Sequence, residues 1–355
     1  MGLATYIARR ILFSFFVIIG ELLIIFYLTN IAAPNPALIW AGPESTFAQV
    51  ALVAQRYHLY SPWYVQFYYY LANIFSGNWG ISPLYQQPVI SLIEEYLPVT
   101  LELTIITFVI KLALETSLGV VSAMRPNGVV DNAIKVTYTA VRSAPPFLVA
   151  LGLLLVFAYG THTFPSSQPI NPILAVQTPK FQFYNPFAGK VTGFWLIDNM
   201  PILNALLVGD WPAFASAVSH AVLPILTLVL FGFGGIVRLV KVSMLNVLDQ
   251  DYIRTARAKG LRETTVIFRH ALRNSLLPAF TLMGVVFSGL VAGSLVVETV
   301  FSYYGLGYYV AESLITFDTP SLIGTLVLIT VVIILSNLVV DIGYGFLDPR
   351  TRVGY

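Results

Sequence analysis

Six apolar runs, each close to the length of a bilayer crossing, divide this chain. They cover about 11–29, 98–122, 134–158, 218–240, 277–297 and 321–344. A helix of about 20 apolar residues crosses a hydrocarbon core of about 30 Å. Inside that core every backbone N–H and C=O must find a partner within the protein, so only helices or a closed barrel can span. Continuous apolar runs rather than alternating ones select helices. The expected fold is an all-α membrane protein with six transmembrane helices. Composition agrees: 57% of the residues are hydrophobic and 10% charged, against roughly a quarter charged in soluble domains.

Charge then orients the spans. With the N-terminus inside, the inner segments hold Arg9, Arg10, Arg125, Lys135, Arg238, Lys241, Arg254, Arg257, Lys259, Arg262, Arg269, Arg273, Arg350 and Arg352, which is 14 of 19 basic residues. The outer segments hold Arg56, Lys180 and Lys190, while Lys111 and Arg142 fall within spans. Basic residues collect on the cytoplasmic side, so both termini are expected there. Arg9-Arg10 followed by an apolar run imitates a signal peptide. The run continues without a small-residue cleavage site, which marks it as a retained span. A net charge of +2 gives no reason to expect nucleic acid as a partner.

One polar run stands apart. Asp249–Pro278 reads DQDYIRTARAKGLRETTVIFRHALRNSLLP and carries six of the basic residues just listed. A segment this polar cannot lie in lipid. Asp249 and Asp251 suit a helix start, and Gly260 can take the left-handed conformation that ends one. A second helix is expected from about Glu263 to Leu276. A short surface helix with Tyr252, Ala256 and Gly260 on one face is a shape that a partner groove can grip.

This run resembles the cytoplasmic Glu-Ala-Ala loop of ABC-importer permeases. Aligned on Gly260, the family triplet falls on Arg254, Thr255 and Ala256, and only Ala256, Gly260 and Leu272 keep the general form. The departures are similar to those of the dipeptide/oligopeptide/nickel branch, where a DYxRTARAKGL…RHALRNxLLP string is typical. The opening YIARRILFSFFVIIG, the TLELT segment, ETVFSYYGLG at 298–307 and the closing DPRTR extend the resemblance over most of the chain. It implies a type I ABC-importer permease (MetI-like) fold. On that expectation residues 1–96 form the first span with an outer loop. Residues 97–345 form a five-helix permease core, with an outer insertion at about 159–217 and a coupling loop at 249–276, and residues 346–355 a cytoplasmic tail. It also implies a second permease subunit, cytoplasmic ATPase subunits and an extracytoplasmic substrate-binding protein as partners, with no cofactor on this chain. The residues expected to meet the ATPase are Asp251, Tyr252, Arg254, Thr255, Ala256, Arg257, Lys259 and Gly260. The outer turn with Glu298, Gly305 and Gly307 is expected to help form the outer gate.

The residues suggest no catalysis. The nearest string to a phosphate-binding loop, Gly189-Lys190-Val191-Thr192, lacks the upstream glycine. His58, His162, His220 and His270 are scattered, and the chain has no cysteine. Ionisable groups inside spans are costly, and they face a cavity or one another. Glu102, Lys111 and Glu115 lie in the second span, Glu21 in the first, and Asn337 and Asp341 in the sixth, where the last two are also expected either to pair within the protein or to line a translocation path. Lys111 and Glu115, four apart, share a helix face. They either pair to hide charge or line a polar translocation path. Glu102, near the outer end, is either solvated or part of that path. Pro145-Pro146, Pro224, Gly232, Gly234 and Gly235 mark kinks or close helix packing. In the outer loop, Tyr57–Tyr70 (YHLYSPWYVQFYYY) is an interfacial helix or a loop on its own spans. In the second outer segment, Asn171–Pro186 looks irregular and Val191–Leu207 suits a short helix.

The chain is therefore expected to be a multi-pass plasma-membrane permease subunit of an importer driven by separate ATPases. Its cargo would be di- or oligopeptides, with oligosaccharides or nickel chelates as alternatives. A self-sufficient secondary transporter would need an ion-coupling constellation and often inverted repeats, and no repeat is evident. A membrane scaffold without transport would tolerate loss of the charged span residues.

Overall fold

A computed structural model describes residues 3–347 apart from residue 33, residues 43–44 and residues 186–189. The closing DPRTR, with Arg350 and Arg352, lies outside the described residues, as does Gly189. Five helices are long and apolar enough to span, and a sixth candidate is a pair of helices bent by 102° at a short break.

The first helix, α1 (Leu3–Phe26), runs on as a π-helical stretch to Ile31. Its Leu22 and Phe26 pack against Ile323 and Val327 of the last helix, α18 (Thr319–Leu347). The outer loop then forms α2 (Pro36–Ala41), α3 (Phe47–Arg56) and α4 (Trp63–Phe75). Tyr57–Tyr70 is thus not one helix. Pro62 disfavours helix at the residue before it, so a turn precedes Trp63, tied by Gln66 Nε2 to the carbonyls of Leu59 and Ser61 at 3.0 and 2.8 Å.

The longest helix, α5 (Val89–Met124), has 36 residues and starts well outside the expected span. The third expected span is bent where the sequence suggested an unbroken run. α6 (Val129–Ser143) ends at Ala144, and α7 (Pro146–Leu153) begins after Pro145 and continues as a π-helical stretch to Gly160. Each residue before a proline is pushed out of the helical region, and Ala144 and Pro145 have ψ of 132° and 140°.

The second outer segment is more ordered than its composition suggests. It holds α8 (Pro172–Gln177), a two-stranded antiparallel ribbon of β1 (Gln182–Asn185) and β2 (Lys190–Gly193), α9 (Trp195–Asp198) and α10 (Pro201–Val208). The chain is therefore helical but for this ribbon among the described residues.

The fourth apolar run, expected as one span at about 218–240, is broken, and the span-length helix lies earlier, at 211–230. α11 (Trp211–Leu230) stops at Phe231, and α12 (Gly235–Leu248) starts after Gly234. Gly232 and Gly234 have φ of +63° and +94°, a region that favours glycine. At Gly234 a side chain would also collide with the Tyr138 ring of α6. The polar run folds as α13 (Asp251–Ala258), α14 (Glu263–Thr265), a π-helical turn Val266–Ala271 and α15 (Leu272–Ser275). α16 (Leu277–Val300) and α17 (Leu306–Ile315) complete the order before α18.

Two buried apolar clusters sit on either side of the α11/α12 break. The outer one includes Leu103, Leu154, Leu223, Leu290, Val297 and Phe301. The inner one includes Val120, Ile236, Val240, Met244, Ile253, Val266 and Ile267. The inner cluster joins the polar run to α5 and α12.

Candidate functional site

The polar run is a rigid projection, not a free loop. Asp251 stands in the first turn of α13, where its charge favours the positive helix end. Gly260, at φ +74°, ends the helix as expected, and a Cβ there would meet nothing within 4 Å. Ile253 and Ala256 turn inward and are buried in the inner cluster. Asp251, Tyr252, Arg254, Thr255, Arg257, Lys259 and Gly260 face outward. Ala256 is thus not on the outward face with Tyr252 and Gly260. Ile253 is the large apolar residue of the helix, and a residue three further on shares its side.

Two tethers hold the projection. Arg257 closes the turn after α13 with a two-pronged bond to Glu263, Nη2 to Oε1 at 2.7 Å and Nε to Oε2 at 3.2 Å. That guanidinium holds the Glu263 carboxyl below its usual range. Asn274 Nδ2 donates to the Tyr252 hydroxyl at 2.9 Å. Leu261 and Phe268 are exposed apolar side chains within this charged run. The sequence reading passed over them; their signal was being large and apolar among charges.

Lys111 and Glu115 form an ion pair of 2.6 Å with both side chains buried. Their other partners lie on the break between α11 and α12. Lys111 Nζ donates to the carbonyls of Val229 at 2.7 Å and Phe231 at 2.9 Å. Glu115 Oε2 accepts from the N–H groups of Gly234 at 3.2 Å and Ile236 at 3.0 Å. The cation thus meets the carbonyl end of α11 and the anion meets the amide end of α12, which suits both helix dipoles. Gly119, one turn on, lets α12 approach, since a Cβ there would lie 2.8 Å from Val240 Cβ. Helix spacing predicted that the two charges share a face. It could not show that they clamp a break over 110 residues away.

The other named residues lie elsewhere. Glu102 is buried, and its carboxylate accepts from Ile202 N at 3.2 Å and Leu203 N at 2.7 Å. It is therefore not solvated; it caps α10 and anchors the outer insertion to α5. Glu298 is fully buried, and its Oε2 accepts from Gly307 N at 2.6 Å and Tyr308 N at 3.3 Å. Thr100 Oγ1 accepts from Leu306 N at 2.7 Å. Together they satisfy the start of α17. A Cβ at Gly305 would collide with Thr100 and Glu298, and one at Gly307 with the Leu295 backbone. Asp341 pairs with Arg10 of α1 at 2.8 Å, and Asn337 packs on Gly284 of α16. The structure thus places these residues at separate helix contacts.

Comparison with known proteins adds two findings. A family model described as the binding-protein-dependent transport system inner membrane component matches residues 115–353. The chain is also similar over its full length to curated proteins. It is 33% identical to a probable D,D-dipeptide transport system permease protein of Escherichia coli K12, over 95% of this chain and 94% of that one. An oligopeptide transport system permease protein of Bacillus subtilis 168 is 32% identical, over 98% and 99%. A dipeptide transport system permease protein of Escherichia coli K12 is 33% identical, over 98% of each.

Proposed function

The chain belongs to the family of binding-protein-dependent transport system inner membrane components, and on that premise we propose that it moves di- or oligopeptides. It is a non-catalytic permease subunit of the inner membrane. The peptide cargo is supported by the relatives, which are dipeptide and oligopeptide transport permease proteins. We further assign it cytoplasmic termini, on the basic residues of its inner segments. We divide it into a first span with an outer loop (1–96), a permease core (97–345) and a tail (346–355). Its partners in this reading are a second permease subunit, a pair of cytoplasmic ATPase subunits and a binding protein outside.

The observation that carries the mechanism is the division of α13 into two faces. Its outward face is polar and makes few contacts within this chain. Its inward face, Ile253 and Ala256, is buried in the inner cluster, where α13 packs on the π-helical turn Val266–Ala271 and that turn packs on α12. A force applied to the outward face is therefore passed through this turn to α12 and the α5 it rests on. Asp251, Tyr252, Arg254, Thr255, Arg257, Lys259 and Gly260 form the face an ATPase groove grips, and Leu261 and Phe268 add apolar area. Closure of the ATPase dimer on ATP then moves the projection as a lever, and the path changes the side to which it opens. Glu298, Gly305 and Gly307 brace the outer end, where we place the gate.

Gly260 supplies the test. Because no described residue lies within 4 Å of a Cβ there, a substitution strains the backbone, by about 1–2 kcal/mol, or meets a partner. Gly260→Asn keeps the left-handed conformation accessible and should transport nearly normally in reconstituted vesicles. Gly260→Trp should hydrolyse ATP while uptake falls at least about tenfold. Normal peptide uptake by Gly260→Trp would refute the docking assignment.

A further inference from the structure

The bend between α6 and α7 and the break between α11 and α12 border one cavity of about 210 Å³. Arg142 and Pro146 line it from one side, and Thr227, Phe231 and Gly232 from the other. Arg142 is the charged residue among those lining it.

The two cations within crossings are treated in opposite ways. Lys111 is buried and fully engaged by one carboxylate and two carbonyls. Arg142 is exposed, with no ion pair or hydrogen bond among the described residues. Yet it stands two residues before the bend of a pair that passes as a span only when both halves are taken together. Arginine stays charged in any protein setting, and an ionised group at membrane depth is costly unless it faces water or a partner. Gly232, across the cavity, has an N–H without an acceptor among the described residues. Both groups donate and neither accepts.

We propose that this cavity is a transit subsite for the carboxylate end of the cargo, with Arg142 as its binding residue. A guanidinium takes a carboxylate by two parallel bonds. Every linear peptide with a free C-terminus offers that group whatever its side chains, so one arginine serves a varied cargo. The loop at Gly232 joins α11 to α12, so an anion held here contacts the element that the Lys111–Glu115 clamp fixes.

This inference rests on the peptide reading above, and its test separates the two. The chain has no cysteine, so Arg142→Cys carries the sole thiol of this subunit. In the assembled transporter, with partner subunits freed of reactive thiols, that thiol should react with an anionic methanethiosulfonate. A dipeptide with a free C-terminus should slow the reaction more than its C-terminal amide does. In uptake assays, Arg142→Gln should lower transport of the free acid about tenfold, the loss of one charge-assisted contact. Amide transport should change little, and Arg142→Lys should recover part of the difference. Each acid-to-amide ratio is corrected for the binding protein's own preference. An unreactive thiol at 142, or an unchanged ratio in Arg142→Gln with both peptides still imported, overturns the subsite alone. Absence of ATP-driven uptake of either peptide by the unmodified transporter overturns the peptide reading and the subsite with it.

Discussion

Replacing Lys111 by methionine tests the clamp at the break between α11 and α12. The side chain keeps its length, but Glu115 loses its counter-charge while remaining buried, and the carbonyls of Val229 and Phe231 lose a donor. Removing one member of a buried pair costs about 3–5 kcal/mol, chiefly because the other charge is left uncompensated. Glu115→Gln in turn leaves the Lys111 charge buried without its counter-charge, although an amide oxygen can still accept from Gly234 and Ile236. Lys111→Met/Glu115→Gln buries no charge and orphans only the two carbonyls, at about 1–3 kcal/mol each. The second substitution should therefore partly rescue the first, with a coupling of about 1.5 kcal/mol or more. Thermal denaturation of the detergent-solubilised transporter reads this as a midpoint lowered on the order of 10 °C for Lys111→Met. The double variant should recover several degrees. A double variant at least as unstable as Lys111→Met would refute the clamp, and so would a single variant indistinguishable from the parent.

The remaining predictions concern the projection. Ile253→Ala removes the buried anchor of α13 and should cost about 2–5 kcal/mol locally, seen as faster amide exchange across 251–260 with the spans still protected; unchanged exchange would show that the helix is held from elsewhere. The Arg257–Glu263 clip should fail in acid. Glu263 has its carboxyl lowered by Arg257, so the stabilisation is complete above the ordinary glutamate range and lost as pH falls through the lowered value. Both groups are largely exposed, so the effect is small and local. Protection of amides near 260 should fall with that titration, and Glu263→Gln should show the acid behaviour at neutral pH; a pH-independent loop would contradict this.

Much of this protein was readable in one dimension. Hydropathy and charge are sums over neighbouring residues, so the apolar runs and the basic projection with its glycine stop followed from contiguous stretches. The helix-breaking residues are visible too in Pro145-Pro146, Gly232 and Gly234, whereas Pro224 stays inside α11. Whether they bend a helix or allow close packing depends on what stands beside them, and Gly234 does both because Tyr138 lies against it. Partners were what only the tertiary structure could decide. Glu115 meets Gly234 across 119 positions, Glu102 meets Leu203 across 101, and Ala256 turns inward because Ile253 fills the core. Such pairings are absent from local sequence because a buried charge is satisfied by whichever backbone end the packing of helices brings within about 3 Å.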